Sequence, residues 1–265
     1  MSIPSGTSSP ATRVRRRGAL HWVLSLCVFI LVWQAVVSIF HVPVYLLPSP
    51  VATVRAIGND AVLLGRHAGA TLLETLAGFG IALFLGVAVA LAMHRSRLLR
   101  DVLYPHMVLS QAVPLIAIAP MILIWFGLGS LSKMLVVAFV CFFPLTVNTY
   151  EGFRAVDPSY SELLDAFGAT WYDRYRHLYV PATLPGILAG AKIAATYSVL
   201  GAIVGEWLGG SLGLGVYMTR AQQSFRTDRL FGAILIVMLL SFALFKAVEG
   251  IGYVLTPWLR RRNHA

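Results

Sequence analysis

Apolar stretches of span length alternate along this chain with short clusters of arginine, glycine and proline. Charge-sparse runs cover residues 20–40, 72–93, 102–129, 133–150, 186–205 and 230–254. At 1.5 Å per residue, about 20 residues of helix cross a hydrocarbon core of about 30 Å. Six membrane-spanning helices are therefore predicted. The first run is long for a signal-peptide core and lacks a small-x-small cleavage site, so it reads as a retained span. Pro105, Pro114 and Pro120 interrupt the third run. A single kinked span is expected there, with two shorter helices as the alternative. Residues 51–70 are expected to form a short interfacial helix, and residues 205–229 a glycine-rich loop. The predicted organisation is an N-terminal tail (1–18), one transmembrane domain (19–256) and a basic C-terminal tail (257–265).

Composition agrees with this pattern. Of 265 residues, 58% are hydrophobic and 12% charged, about half the charged fraction of a soluble domain, and the mean hydropathy is +0.76. The net charge of +10 does not indicate nucleic-acid binding, because the arginines cluster at the ends of apolar runs. Such clusters set membrane orientation. With both termini inside, thirteen basic residues fall on cytoplasmic segments and six on the opposite side. An odd span count would put an arginine cluster on the wrong side. Cys27 and Cys141 lie in apolar runs, and no Cys or His spacing suggests a metal site.

One segment, residues 151–185, departs from the apolar pattern on the side assigned to the cytoplasm. Asp157 and Pro158 form a helix start. Apolar residues at Tyr160, Leu163, Leu164, Phe167, Trp171, Tyr175 and Leu178 then follow helical spacing. Gly168 permits a left-handed C-cap, Thr170 with Asp173 supplies a second cap, and Pro181 and Pro185 are expected to lead the chain back to the membrane. A helix lying on lipid is one reading. Docking onto a cytosolic partner is the other, and the balance of Glu162, Asp165 and Asp173 against Arg174 and Arg176 favours it.

The segment resembles the cytoplasmic EAA loop of permease subunits in binding-protein-dependent ABC importers. That loop reads approximately E-A-A, three residues, G, nine residues, I-x-L-P. Here Glu162, Gly168, Leu178, Val180 and Pro181 occupy the spaced positions, while Leu163 and Leu164 stand where the family usually has small residues. "LLPSP", "QAVPLIAIAPMILIWFGLG" and "GEWLGGSLGLGVYM" resemble the taurine, sulfonate and nitrate branch, and "VVAFVCFFPLTVN" looks closest to permeases for thiamine-precursor pyrimidines. The resemblance covers roughly residues 40–255. It implies an all-α type I importer permease in a bacterial inner membrane, carrying a small polar organic or anionic solute by alternating access. It also implies a homodimer, two cytosolic ATPases and an extracytoplasmic solute-binding protein as partners. Glu162, Leu163, Asp165, Ala166, Phe167, Gly168, Trp171, Tyr175 and Pro181 would form the ATPase-coupling unit, with Phe167, Trp171 and Tyr175 as its anchoring face.

A Walker A loop needs Gly-Lys-Ser/Thr. The three lysines, Lys133, Lys192 and Lys246, follow Ser, Ala and Phe. ATP and Mg are therefore expected on a partner, and no cofactor on this chain. Gln111, Pro114, Glu206 and Trp207 are candidates for the solute pathway, with a solvated loop acid as the alternative for Glu206. Lys246 and Glu249 are spaced to pair, Glu74 suits a capping or interhelix role, and "GILAG" (186–190) suits close helix packing. An ion-coupled secondary transporter would be expected to show repeats and midplane carboxylates, and a membrane enzyme a catalytic cluster. Neither pattern is present.

Overall fold

A computed structural model describes residues 10–258, and every regular element among them is helical. Residues 1–9 of the N-terminal tail and the arginines at 260–262 lie outside the described residues. Three helices hold the centre: α3 (Ala61–Arg95), α6 (Ser130–Arg154) and α9 (Val180–Gly209). In lipid, helices gain by close packing rather than by leaving water, and small residues permit that here. A Cβ on Gly186 would come within 2.7 Å of the Asn148 carbonyl oxygen, and one on Gly190 within 2.9 Å of that of Pro144. The 186–190 pattern is thus the seam between α9 and α6. Above it, Ala191, Ala194 and Ala195 pack with Ala82 of α3 against Cys141 and Leu145 of α6.

Among the described residues, four helices are long and apolar enough to cross a bilayer: α3, α6, the continuous helix Trp171–Gly209 that contains α9, and α11 (Thr227–Leu255). Over half of the apolar window is buried in α6 and α9 (56% each), against 17% in α11, so α11 is peripheral. Its Met238, Leu239 and Phe242 are exposed as a lipid-facing surface would be. A fifth crossing is possible through α4 (Arg97–Ser110) and α5 (Leu115–Phe126), which meet at a bend of 109°. The third apolar run is therefore two helices, the alternative reading of its prolines. The break falls at residues 111–114, where Pro114 has no N–H to continue a ladder.

Three boundaries differ from the sequence reading. Residues 61–70 belong to α3 rather than to an interfacial helix: Leu64 and His67 are buried, and His67 finds the partner described below. Only α2 (Pro50–Asn59) is the short helix, capped by the Ser49 hydroxyl, which accepts the Ala52 N–H at 3.1 Å. The 205–229 stretch contains a helix, α10 (Leu214–Gln223). Finally, Pro181 and Pro185 do not turn the chain. Val180 donates to the Tyr175 carbonyl, five residues back, so a π turn over Tyr175–Tyr179 absorbs the register change. Pro181 then sits in the first turn of α9, where its missing N–H matters least.

A separate unit comprises α1 (Pro10–Ile39), α2 and residues 221–232. Within it the Trp33 and Phe231 rings lie 5.8 Å apart, Arg229 pairs with Asp60 at 3.0 Å, and the Thr227 hydroxyl donates to the Tyr45 carbonyl at 2.7 Å.

Candidate functional site

The polar insert folds as its caps dictate. Asp157 accepts the Ser159 N–H at 2.9 Å and starts α7 (Pro158–Ala166). That bond holds its carboxyl below the usual aspartate range. Gly168, at φ +73°, ends α7: its N–H reaches the Asp165 carbonyl and that of Ala169 the Leu164 carbonyl. This paired closure is a Schellman cap, which an L-residue side chain would strain. Thr170 and Asp173 form a complete capping box on α8 (Trp171–Arg174), and an ion pair of 2.8 Å between Asp165 and Arg174 braces α7 against α8.

Two aromatic faces result. Tyr160, Leu163 and Trp171 are more than half exposed and Phe167 is 80% exposed, a large apolar surface on an otherwise polar element. Glu162 and Ala166 are exposed beside them. Tyr175, by contrast, turns inward: it sits with Tyr179 against the cluster of Ala90, Met93, Tyr150 and Phe153. His94 at the end of α3 stacks on Phe153 at 4.7 Å and meets Tyr179 edge-on at 4.7 Å. Arg95 lies over the Trp171 ring at 5.3 Å. The insert is therefore fastened to the ends of α3 and α6, and Tyr175 belongs to the fastening rather than to the exposed face.

A groove of about 380 Å³ lies beside the α4–α5 break. Ser110 comes from the end of α4 and Gln111 from the break, Phe139 and Phe143 from α6, and Ile193 and Tyr197 from α9. None of its lining residues carries a formal charge. The Gln111 amide offers both donor and acceptor, and the aromatic rings offer flat faces. Pro114 caps α5 at the edge of the break. Neither Glu206 nor Trp207 lines this groove; Trp207 is 46% exposed.

Glu206 is 1% exposed, so it is not a solvated loop acid. Its carboxylate accepts the Thr71 hydroxyl and the Gly215 N–H, each at 2.6 Å. Thr71 in turn accepts the Leu214 N–H at 2.8 Å, and His67 Nδ1 lies 2.6 Å from the Gly213 carbonyl oxygen. Beside them Lys133 contacts Glu74 at 2.6 Å, both nearly fully buried, so Glu74 is an interhelix partner. This network pins residues 212–215, the end of the loop and the start of α10, to α3, α6 and α9 at the end of the bundle opposite the insert. Sequence reasoning did not find His67, Thr71 or Lys133 as members. The available signal was that three spans each carry an ionisable residue near the same end.

Apolar helices, a broken span bordering an uncharged groove, and an exposed insert fastened to the span ends together define a membrane transport protein. The profile of one family, the binding-protein-dependent transport system inner membrane components, matches residues 82–261. The chain belongs to that family and is a permease subunit of an ABC importer, a class that works with ATPase and solute-binding partners. It is 36% identical to the formylaminopyrimidine transport permease protein ThiX of Halalkalibacterium halodurans, over 92% of this chain and 98% of that protein. To the taurine transport system permease protein TauC of Escherichia coli K12 it is 26% identical, over 88% of each chain. The expected branch therefore holds. A solved inward-facing form of the MetNI methionine ABC transporter shares the fold, with TM-score 0.63 and 18% identity over 75% of this chain and 98% of that one.

Proposed function

We propose that this permease carries a small, uncharged, flat nitrogen heterocycle, and that the groove beside the α4–α5 break forms part of its pathway. The observation that carries this reading is the lining: Gln111, Ser110 and aromatic rings, with no lysine or arginine to hold a sulfonate or nitrate. A desolvated anion needs a paired cation, whereas an aromatic heterocycle gains from ring faces and an amide edge. The similarity to a formylaminopyrimidine permease points the same way.

In this account the chain has six spans with both termini cytoplasmic and acts as a homodimer. ATP and Mg are held by two partner ATPases, which receive the face formed by Leu163, Phe167 and Trp171. Glu162, Ala166 and Gly168 shape that docking unit. Nucleotide-driven closure of the ATPases moves the insert, and the Tyr175–His94–Phe153 contacts pass that motion to α3 and α6. The test is uptake in proteoliposomes holding this permease, its ATPase and its binding protein. A labelled aminopyrimidine should be taken up and taurine should not, and Gln111→Leu with Tyr197→Ala should lower uptake about 10-fold or more while ATPase retention is unchanged. Uptake of the sulfonate in preference to the heterocycle would overturn the substrate reading.

A further inference from the structure

A second groove, of about 700 Å³, opens between α9 and α11 towards the insert end of the bundle. It is lined by Leu188 and Lys192 from α9 and by Lys246, Glu249, Gly250 and Tyr253 from α11, among others. Its depth follows from helix geometry. Lys192 and Glu206 are 14 residues apart on α9, and Arg229 and Lys246 are 17 apart on α11. At 1.5 Å per residue these are spacings of about 21 Å and 26 Å. The hydrocarbon core is about 30 Å thick. Both lysines therefore stand near one edge of the apolar layer, and lysine stems snorkel the remaining distance. Exposed Tyr253 and Trp258 lie further towards the same end, as interfacial aromatics do.

Charge and shape agree on an occupant. Lys246 lies 2.5 Å from Glu249, and the charge of Lys192 acts on the same carboxylate. Two cations thus face one acid, and Lys192 makes no ion pair within 4.0 Å among the described residues. Towards the insert end, Leu188 closes the groove against Gly252, where a Cβ would come within 3.1 Å of it. On the bilayer side of the charges α11 exposes Met238, Leu239 and Phe242, and the Lys246 ammonium lies 5.7 Å from the centre of the Phe242 ring. We propose that this groove binds an anionic glycerophospholipid, with its phosphate between Lys192 and Lys246 and its first acyl carbons along Phe242. Because α9 continues directly from the insert, the bound lipid braces α11 against the helix that carries the coupling motion. The binding claim is independent of the substrate reading; only the assignment to the cytoplasmic leaflet rests on the proposed topology.

The experiment is native mass spectrometry of the full chain, delipidated in neutral detergent and titrated with phosphatidylglycerol, phosphatidylcholine or inorganic phosphate alone. Phosphatidylglycerol should be retained and phosphatidylcholine should not. Lys192→Gln with Lys246→Gln should weaken phosphatidylglycerol retention roughly 30-fold, at about 5-fold for each basic residue removed near the bilayer surface. Glu249→Gln should retain it at least as tightly as the parent, which guards against loss through misfolding. Equal retention by the double lysine variant would overturn the proposal. So would binding of inorganic phosphate as tight as that of the lipid, or occlusion of the groove by a second copy shown by crosslinking through Tyr253→Cys.

Discussion

Replacing Lys133 by methionine leaves the Glu74 carboxylate, 4% exposed, without the ammonium now 2.6 Å away. Its Oε2 already lacks a hydrogen-bond partner among the described residues, so nothing nearby compensates. Removing one partner of a buried ion pair costs about 3–5 kcal/mol, while replacing both by apolar groups of similar volume is roughly neutral or better. At about 2–4 °C per kcal/mol for a domain of this size, Lys133→Met should lower the unfolding midpoint by roughly 6–20 °C. Adding Glu74→Leu should recover most of that loss. Cys141 supplies the probe, because it is fully buried and its thiol reacts with a maleimide dye only on unfolding. Exposed Cys27 is first changed to serine. The reasoning fails if Lys133→Met shifts the midpoint by less than about 2 °C, or if the double variant is no more stable than the single one.

Three further outcomes follow from the insert and its fastening. Phe167→Ala with Leu163→Ala should leave the unfolding midpoint of the permease unchanged and cut ATPase retention in a pull-down by about 10-fold or more, since exposed apolar anchors act only when covered. Gly168→Ala places an L-residue at φ +73°, costing about 1–2 kcal/mol, and should lower ATPase retention roughly 5- to 30-fold; unchanged retention would show that the Schellman cap is not needed for docking. Tyr175→Ala should instead lower the unfolding midpoint of the isolated permease, because its ring belongs to the internal cluster; a loss of ATPase retention alone, with the midpoint unchanged, would return it to the docking face.

The sequence carried the insert well because caps are local chemistry. Asp157, Gly168, Thr170 and Asp173 act within four residues of themselves, and each does in space what its spacing implies. The pairing of Lys246 with Glu249 was legible for the same reason, while the small residues at 186 and 190 signal close helix approach without naming the helix they meet. What was not legible depends on distant partners. Glu206 reads as a pathway residue or a solvated loop acid until Thr71, 135 residues earlier, donates to it. Lys133 reads as a topology signal until Glu74 neutralises it. The prolines misled in both directions: Pro114 starts a new helix after a break where one kinked span was expected, whereas Pro181 and Pro185 stay inside one because a π turn precedes them. Tyr175 shares a helical stripe with Phe167, but the turn at Gly168 between α7 and α8 separates their directions.

The central claim is that this chain transports only when an external ATPase works through the insert. Its most direct test is ATP-dependent solute uptake in proteoliposomes containing the permease, the ATPase and the binding protein, compared with the same vesicles carrying Phe167→Ala and Gly168→Ala. Uptake should require ATP and all three components, and should fall at least 10-fold in the variant while ATP hydrolysis by the free ATPase is unaffected. Uptake driven by an ion gradient with no ATPase present, or uptake undiminished in the variant, would contradict it.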